Sequence, residues 1–299
     1  MPRSGAFSGK VCWITGASSG IGEALAYELS RQGAVLCLSA RREDVLARVA
    51  AKCRKEGCPR AEVVPLDLSD YSSHKSTTNR VVAQFGRIDY LINNAGRSQR
   101  GTVENTEASV ERAVIELNVF GTLSLTKAAL PQLLSQDAGG VIVNTSSMAG
   151  KIANPVSAAY SASKHALHGY FDSLRFELAY RKIRVVNVCP GPVRSEISVN
   201  AFSEDGKAHG DPEEDGTVKM SAERCGALMA AAMHAELTEA WLAPQPLLLF
   251  LYIAQYLPGL YYRLGQSAGR KRVEAFRGGR SGYAVVQSVW SLASAASSK

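Results

Sequence analysis

Apolar runs alternate with amphipathic stretches from Val11 to about residue 200. VCWIT (11–15), AVLCLSA (34–40), AEVVPLDL (61–68), RIDYLINNAG (87–96), GGVIVNTSS (139–147) and IRVVNVCPG (183–191) are rich in Val, Ile and Leu and too short for globular helices. They predict six strands buried on both faces. Between them, helical spacing runs through IGEALAYELSRQG, REDVLARVAAKCRKEG to Gly57, a polar segment to Gly86, a long stretch from about 109 to 134, and 158–180. Strand and helix in strict alternation predict right-handed βαβ crossovers. The expected fold class is α/β: a Rossmann-type doubly wound parallel sheet with helices on both faces, in a single domain.

The pattern breaks at SEDGKAHGDPEEDGT (203–217), which is polar and acidic. It reads either as an exposed loop or, at a strand carboxyl end, as a lid over a substrate. The Rossmann-type domain is expected over 9–243, with a substrate loop at 196–220. An apolar and basic helical extension follows over 244–277, and a loosely ordered tail over 278–299. Within the extension, LLLFLYIAQYL (247–257) is strongly apolar but about half the length a spanning helix needs. Pro244, Pro246 and Pro258 bracket it, and Tyr256, Tyr261, Tyr262 and a GRKR run supply amphipathic tips and cations. This suits a helix lying in a membrane interface, with peripheral contact through 245–273. A cover for an apolar substrate pocket and a dimer contact are the alternatives.

Charge and cysteines narrow the picture. Of the net +7, +6 falls between Arg263 and Lys299, so the rest is near neutral and no nucleic-acid-coating surface is expected. A basic segment beside an apolar one points to an anionic membrane face. Cys12, Cys37 and Cys189 fall inside strand-like runs, and no Cys/His pairs stand at ligand spacing near Cys53 and Cys58, so no metal is expected. The opening MPRSGAFSGK has no apolar core of a signal peptide.

Thr15-Gly16-Ala17-Ser18-Ser19-Gly20-Ile21-Gly22 lies between the first strand and first helix. Glycines there let backbone approach a pyrophosphate, whose charge the helix N-terminus favours. The second strand ends at Ala40, where an NAD site commonly carries an acid for the ribose 2′-OH; here Arg41 and Arg42 follow. Guanidinium groups in that place predict NADP(H), with Arg41 the preferred contact for a 2′-phosphate. Tyr160 and Lys164, spaced i, i+4, share one helix face. A nearby ammonium favours phenolate and brings a phenol toward acid–base work near neutrality.

TGASSGIG (15–22), NNAG (93–96), Asn118, Ser147, YSASK (160–164) and PG (190–191) occur in one order. This chain resembles the short-chain dehydrogenase/reductase family over roughly residues 9–200. The resemblance implies that Tyr160 is the general acid–base and that Lys164 binds the nicotinamide ribose and depresses the Tyr160 pKa. Ser147 would hydrogen-bond the substrate oxygen, with Ser146 the weaker candidate, and Asn118 would hold a water of the proton relay. Gly16, Ser18, Ser19, Gly20, Ile21, Gly22, Asp67, Asn94, Pro190, Gly191, Val193 and Ser195 would line the cofactor site. Asp67 would meet the adenine and Val193 the carboxamide. SARR, GRID, YSASKHAL and CPGPVRSEI, with the C-terminal extension, are similar to a membrane-associated, retinal-reducing branch of the family. That branch implies NADPH-dependent reduction of an apolar carbonyl (retinoid, steroid or related), the reverse oxidation of an alcohol, and residence at the endoplasmic reticulum membrane behind an N-terminal anchor. Here the first strand begins at Val11, which leaves a cytoplasmic location as the alternative. Family members associate, so a homodimer through the helices around 109–134 and 158–180 is expected. A non-catalytic NADP(H)-binding scaffold or redox sensor and a sugar-nucleotide epimerase are the competing readings. The complete Asn118–Ser147–Tyr160–Lys164 set weighs against the first. The lack of a longer C-terminal substrate domain weighs against the second.

Overall fold

The structure, a computed structural model, describes residues 5–210 and 219–279. The expectations for 211–218 and for 280–299 lie outside the described residues.

Seven parallel strands form one sheet: β1 (Val11–Thr15), β2 (Val35–Ser39), β3 (Arg60–Val63), β4 (Tyr90–Asn93), β5 (Gly140–Thr145), β6 (Ile183–Pro190) and β7 (Glu239–Leu242), in the order β3-β2-β1-β4-β5-β6-β7. The helices are α1 (Gly20–Arg31), α2 (Glu43–Lys55), α3 (His74–Phe85), α4 (Ala108–Ile115), α5 (Thr122–Ser135), α6 (Ala158–Leu178), α7 (Ala222–His234), α8 (Leu247–Tyr256) and α9 (Pro258–Arg277). The fold is the Rossmann-type α/β sheet expected, in one domain. The strand order reverses between β1 and β4, which opens a crevice at their carboxyl ends.

Both faces of the sheet are covered, which explains the unbroken apolar runs. Cys12, Ile14, Leu36, Leu38, Ile92 and Val143 pack with Leu25, Leu29, Leu46 and Met229 on one side. The alternate residues Trp13, Cys37, Leu91 and Ile142 pack with Leu125, Leu133, Leu167 and Phe171 on the other. All six cysteines are buried free thiols. The stretch Ala108–Ser135 has the length and hydropathy to cross a membrane, but Leu125, Ala129 and Leu133 are committed to this core.

Three differences from the sequence reading matter for the site. A seventh strand, EAWL, was missed; it alternates too briefly to stand out. The long helix, Ala108–Ser135, is continuous but not regular: a π-helical turn at Glu116–Gly121 lies between α4 and α5 and turns Asn118 inward. The segment 202–210 is pinned, because Phe202 N donates to Ser98 O, Arg100 N to Phe202 O, and Glu107 N to Glu204 O.

A polar row crosses the middle of the sheet. Asn93, Asn144 and Asn187 stand in register on β4, β5 and β6 and are buried. Asn93 Nδ2 donates to Asn144 Oδ1 at 3.0 Å, Asn144 Nδ2 to Asn187 Oδ1 at 2.9 Å, and Asn187 Nδ2 to Asp172 Oδ1 on α6 at 3.2 Å. Buried amides are tolerated here because every Nδ2 and the oxygens of Asn144 and Asn187 find partners; the Asn93 oxygen has no hydrogen bond.

Candidate active site

The turn after β1 is shaped by what its glycines omit. Gly16 has φ +64°, and a Cβ there would sit 2.8 Å from Ala95 Cα. A Cβ on Gly22 would meet Gly16 O at 2.4 Å and Asn94 Nδ2 at 2.5 Å. Asn94 ties the turn down: its Nδ2 donates to Thr15 O at 3.0 Å, and its N–H donates to Thr15 Oγ1 at 3.0 Å. Ser19 stands at the N-cap of α1 without a side-chain capping bond. The first N–H groups of α1 thus retain their capacity for an anion.

This turn opens on a cleft of about 500 Å³. Of the sequence-predicted residues, Gly16, Ser18, Ser19, Gly20, Ile21, Arg41, Arg42, Asp67, Asn94, Ser147, Tyr160, Lys164, Pro190, Gly191, Val193 and Ser195 line it, as does Ser146. Gly22 lies behind the turn as its packing contact, and Asn118 lies behind the wall.

At the β2 end, Arg42 Nη2 lies 3.3 Å from Ser18 Oγ and 3.4 Å from Glu196 Oε2, a bridge across the cleft. Arg41 is exposed and has no hydrogen bond or ion pair among the described residues. Burial tends to raise the Asp67 carboxyl, but its Ser69 hydrogen bonds, helped by the charge of Arg41, hold it below the usual range.

At the β5 end, Ser147 is extended and caps a short turn, Met148–Gly150; its Oγ accepts from Ala149 N at 3.1 Å. That bond uses a lone pair and leaves the Ser147 O–H to donate into the cleft. Lys164 is buried one turn along α6 from Tyr160, with its Nζ 5.6 Å from the phenol ring centroid and donating to Thr145 O at 2.9 Å. Burial pushes the Lys164 ammonium down to about 8.

Asn118 is a brace. Its Oδ1 accepts from Arg97 N at 2.8 Å, and its Nδ2 donates to Arg97 O at 2.9 Å and Ser163 Oγ at 3.0 Å. Both amide hydrogens are in use, so a water held by this side chain would have to donate to the second lone pair of Oδ1. The π-helical turn makes the reach possible, a common device at functional sites.

Some cleft residues were not foreseen. Arg97, after NNAG, stacks its guanidinium 3.5 Å over the Phe202 ring. Met148, Ile152, Ile197 and Leu247 give the β6 end apolar walls. Leu247, the first residue of α8, closes on the floor: a Cβ on Gly191 would meet its Cδ2 at 3.3 Å and Met148 Sδ at 3.2 Å. His168, Cys189 and Glu239 also bring potential metal-ligating atoms within 4.8 Å of one another beside the site. They are far apart in sequence and carry no spacing signal. Lys151 Nζ already lies 2.6 Å from the Glu239 carboxylate there.

The comparisons with known proteins agree with this geometry. Residues 10–206 match the family model for short chain dehydrogenase. The chain belongs to the short-chain dehydrogenase/reductase family. Among curated members of that family, dehydrogenase/reductase SDR family member 7 of Homo sapiens is 45% identical over 273 residues, covering 90% of this chain and 80% of that protein. The family protein 7-like of Drosophila melanogaster is 37% identical over 257 residues, covering 85% and 78%. A solved metagenomic short-chain oxidoreductase in complex with NADP superposes with TM-score 0.66 at 29% identity, covering 80% of this chain and 99% of that one. An alcohol dehydrogenase of the archaeon Thermococcus sibiricus, complexed with 5-hydroxy-NADP, also gives 0.66 at 27% identity, covering 79% and 95%. Membership makes the chain one of an oxidoreductase family.

Proposed function

We propose that this protein is an NADPH-dependent carbonyl reductase, and in reverse an alcohol dehydrogenase, acting on an apolar substrate of retinoid, steroid or similar character. The observation that carries the reading is the convergence of Ser147, Tyr160 and Lys164 with the glycine turn on one cleft. The residues present fit the dinucleotide. The uncapped start of α1 and the Cβ-free turn suit its pyrophosphate, Asp67 the adenine, and Val193, Pro190, Gly191 and Ser195 the nicotinamide end. Arg41 and Arg42 would take the 2′-phosphate, and both solved relatives carry NADP-type ligands.

When bound, NADPH supplies the hydride. Ser147 and Tyr160 donate hydrogen bonds to the carbonyl oxygen, where negative charge develops as the carbon is reduced. Tyr160 then gives its proton to that oxygen. Lys164, in a dry position beside the phenol, favours phenolate and eases the proton's departure. Asn118 braces the Arg97 loop against α6. Met148, Ile152, Ile197 and Leu247 supply the apolar surface for the substrate.

α8 and α9 support peripheral attachment to a membrane. Tyr252, Tyr256, Leu257, Leu260, Tyr262 and Leu264 are exposed on them beside Arg263, Arg270 and Lys271. Apolar side chains rimmed by cations suit an anionic lipid face, and an apolar substrate would arrive from the same lipid. The endoplasmic reticulum membrane is the proposed location and the cytoplasm the alternative. Phe120 and Phe176, exposed beside α5 and on α6, support a homodimer through these helices.

The test is NADPH consumption by purified protein with retinal, steroid ketones and small carbonyls, with NADH and Tyr160→Phe as controls. Turnover of an apolar carbonyl that prefers NADPH and falls by about 10²–10⁴ in Tyr160→Phe supports the reading. Tight NADPH binding with no turnover, in lipid as well as in solution, would instead favour the non-catalytic scaffold.

A further inference from the structure

α6 carries a polar row at four-residue spacing: Tyr160, Lys164, His168 and Asp172. Such spacing keeps all four on one stripe of the helix. Tyr160 and Lys164 belong to the proposed chemistry, and Asp172 ends the asparagine row. His168 is buried and has no part in either. A buried imidazole is costly unless its nitrogens are used.

Nε2 is hydrogen-bonded, whereas Nδ1 has no hydrogen bond and faces only a carboxylate. Nε2 lies 2.9 Å from Ser146 Oγ and 3.5 Å from Cys189 Sγ. Nδ1 lies 3.4 Å from Glu239 Oε2, long for a hydrogen bond but well within electrostatic reach. Glu239, on β7, is also met by Lys151 Nζ at 2.6 Å and by Trp241 Nε1 at 2.5 Å. Burial tends to raise its carboxyl, yet these donors hold it down to about 2. Lys151 directly follows the Met148–Gly150 turn that Ser147 caps, and Ser146 precedes Ser147.

Two features agree on one tautomer. A carboxylate facing Nδ1 calls for a proton there. The Cys189 thiol, pushed up to about 12 by burial, is an S–H donor facing Nε2, which calls for a bare nitrogen. The single lone pair of Nε2 then goes to the nearer donor, the Ser146 hydroxyl at 2.9 Å, and fixes its rotamer. There is no slack at this seam: a Cβ on Gly150 would meet Ser146 Oγ at 2.8 Å, Lys164 O at 2.9 Å and His168 Cδ2 at 3.0 Å.

We infer that Lys151–Glu239–His168–Ser146 is a positioning chain, which sets the turn bearing Ser147 against the face of α6 bearing Tyr160 and Lys164. The inference rests on the reductase reading. Of its members only Ser146 lines the cleft; the chain acts through Ser147. The same atoms could tempt a divalent ion, but the Lys151 ammonium occupies the carboxylate.

The first measurement does not depend on turnover. In protein labelled with ¹⁵N-histidine, imidazole NMR reads the His168 tautomer, assigned by loss of its signals in His168→Gln. The expected result is a protonated Nδ1 and a bare Nε2, with both signals moving in Glu239→Gln. An Nε2–H tautomer or an imidazolium would overturn the chain, as would stoichiometric zinc in the purified protein that His168→Ala removes. In carbonyl reduction, Ser146→Ala and His168→Ala should each lower kcat by about tenfold to a hundredfold, the scale of a small misplacement. The KM for NADPH should stay within about twofold. The double variant should be no worse than the worse single one, as coupled residues require. His168→Gln, whose amide oxygen can accept from Ser146, should recover part of the loss. Additive losses, or a raised KM for NADPH with kcat unchanged, would overturn it. Should His168→Ala melt at a much lower temperature, Lys151→Met provides the same kinetic test from the half-buried end of the chain. A wild type that reduces no carbonyl counts against the reductase reading alone; the tautomer still decides for or against the chain.

Discussion

At the glycine turn after β1 the wall of the cleft is backbone, whereas at its β6–β7 end the wall is side chain. Gly16 and Gly22 leave no room for a Cβ, and Asn94 bonds main-chain oxygens of the same turn. A dinucleotide is invariant, so a rigid, side-chain-free cradle suits it. Met148, Ile152, Ile197 and Leu247 at the other end come from two loops and a C-terminal helix. Each can change size without disturbing the sheet, which is where a fold adapts to different substrates.

The largest effect expected from breaking this contrast comes at the backbone end. Gly22→Ala should abolish NADPH binding, read by nucleotide fluorescence, and cost about 1–3 kcal/mol in denaturant unfolding, as overpacking does. An equally small change at the other wall, Ile152→Val, should leave NADPH binding unaltered and move only the KM for the carbonyl. Next in size is Arg41→Asp. Its NADPH-over-NADH preference in kcat/KM should fall by about ten- to a hundredfold, matching the loss of a charge-assisted bond of about 1.5–3 kcal/mol. A preserved preference would shift the 2′-phosphate role to Arg42. Smaller still for the isolated protein is the triple change Tyr256→Ser, Leu257→Ser, Leu260→Ser. These side chains are exposed, so melting should barely move while sedimentation with anionic vesicles falls. The last effect is confined to acid and is read as stability. The donors around Glu239 hold its carboxyl down to about 2 in the folded chain, against an ordinary value of 4.5 when unfolded, so it contributes stability above 4.5 that is lost as pH falls toward 2. Glu239→Gln should therefore flatten the stability profile in that window and leave its slope above pH 5 the same.

The contrast also explains what could be read from the chain beforehand. The backbone end announces itself, because tight turns demand glycine at fixed spacing, and Gly16, Gly20 and Gly22 sit beside a strand of unbroken apolar residues. Tyr160 and Lys164 were legible for a similar reason: helix geometry makes i, i+4 a spatial statement. The side-chain end was opaque. Leu247 meets Gly191 only because α8 folds back onto the end of β6, and no local pattern encodes that contact. β7 is four residues long, so its alternation is too brief to separate from a loop. The π-helical turn that aims Asn118 at Arg97 is invisible to a reading based on 3.6-residue spacing. His168 looked like any polar residue on a long helix until β6 and β7 placed Cys189 and Glu239 around it.

The row of Asn93, Asn144 and Asn187 has a consequence for how the sequence can drift. Each amide passes a hydrogen bond to the next, so losing the middle one strands a donor on one side and an acceptor on the other in a dry sheet. Replacing all three with hydrocarbon strands far less, since both members of each pair vanish together. The three codons are therefore bound to a shared history. A library randomising these positions at once should return all-amide triplets and wholly apolar ones, with mixed triplets scarce.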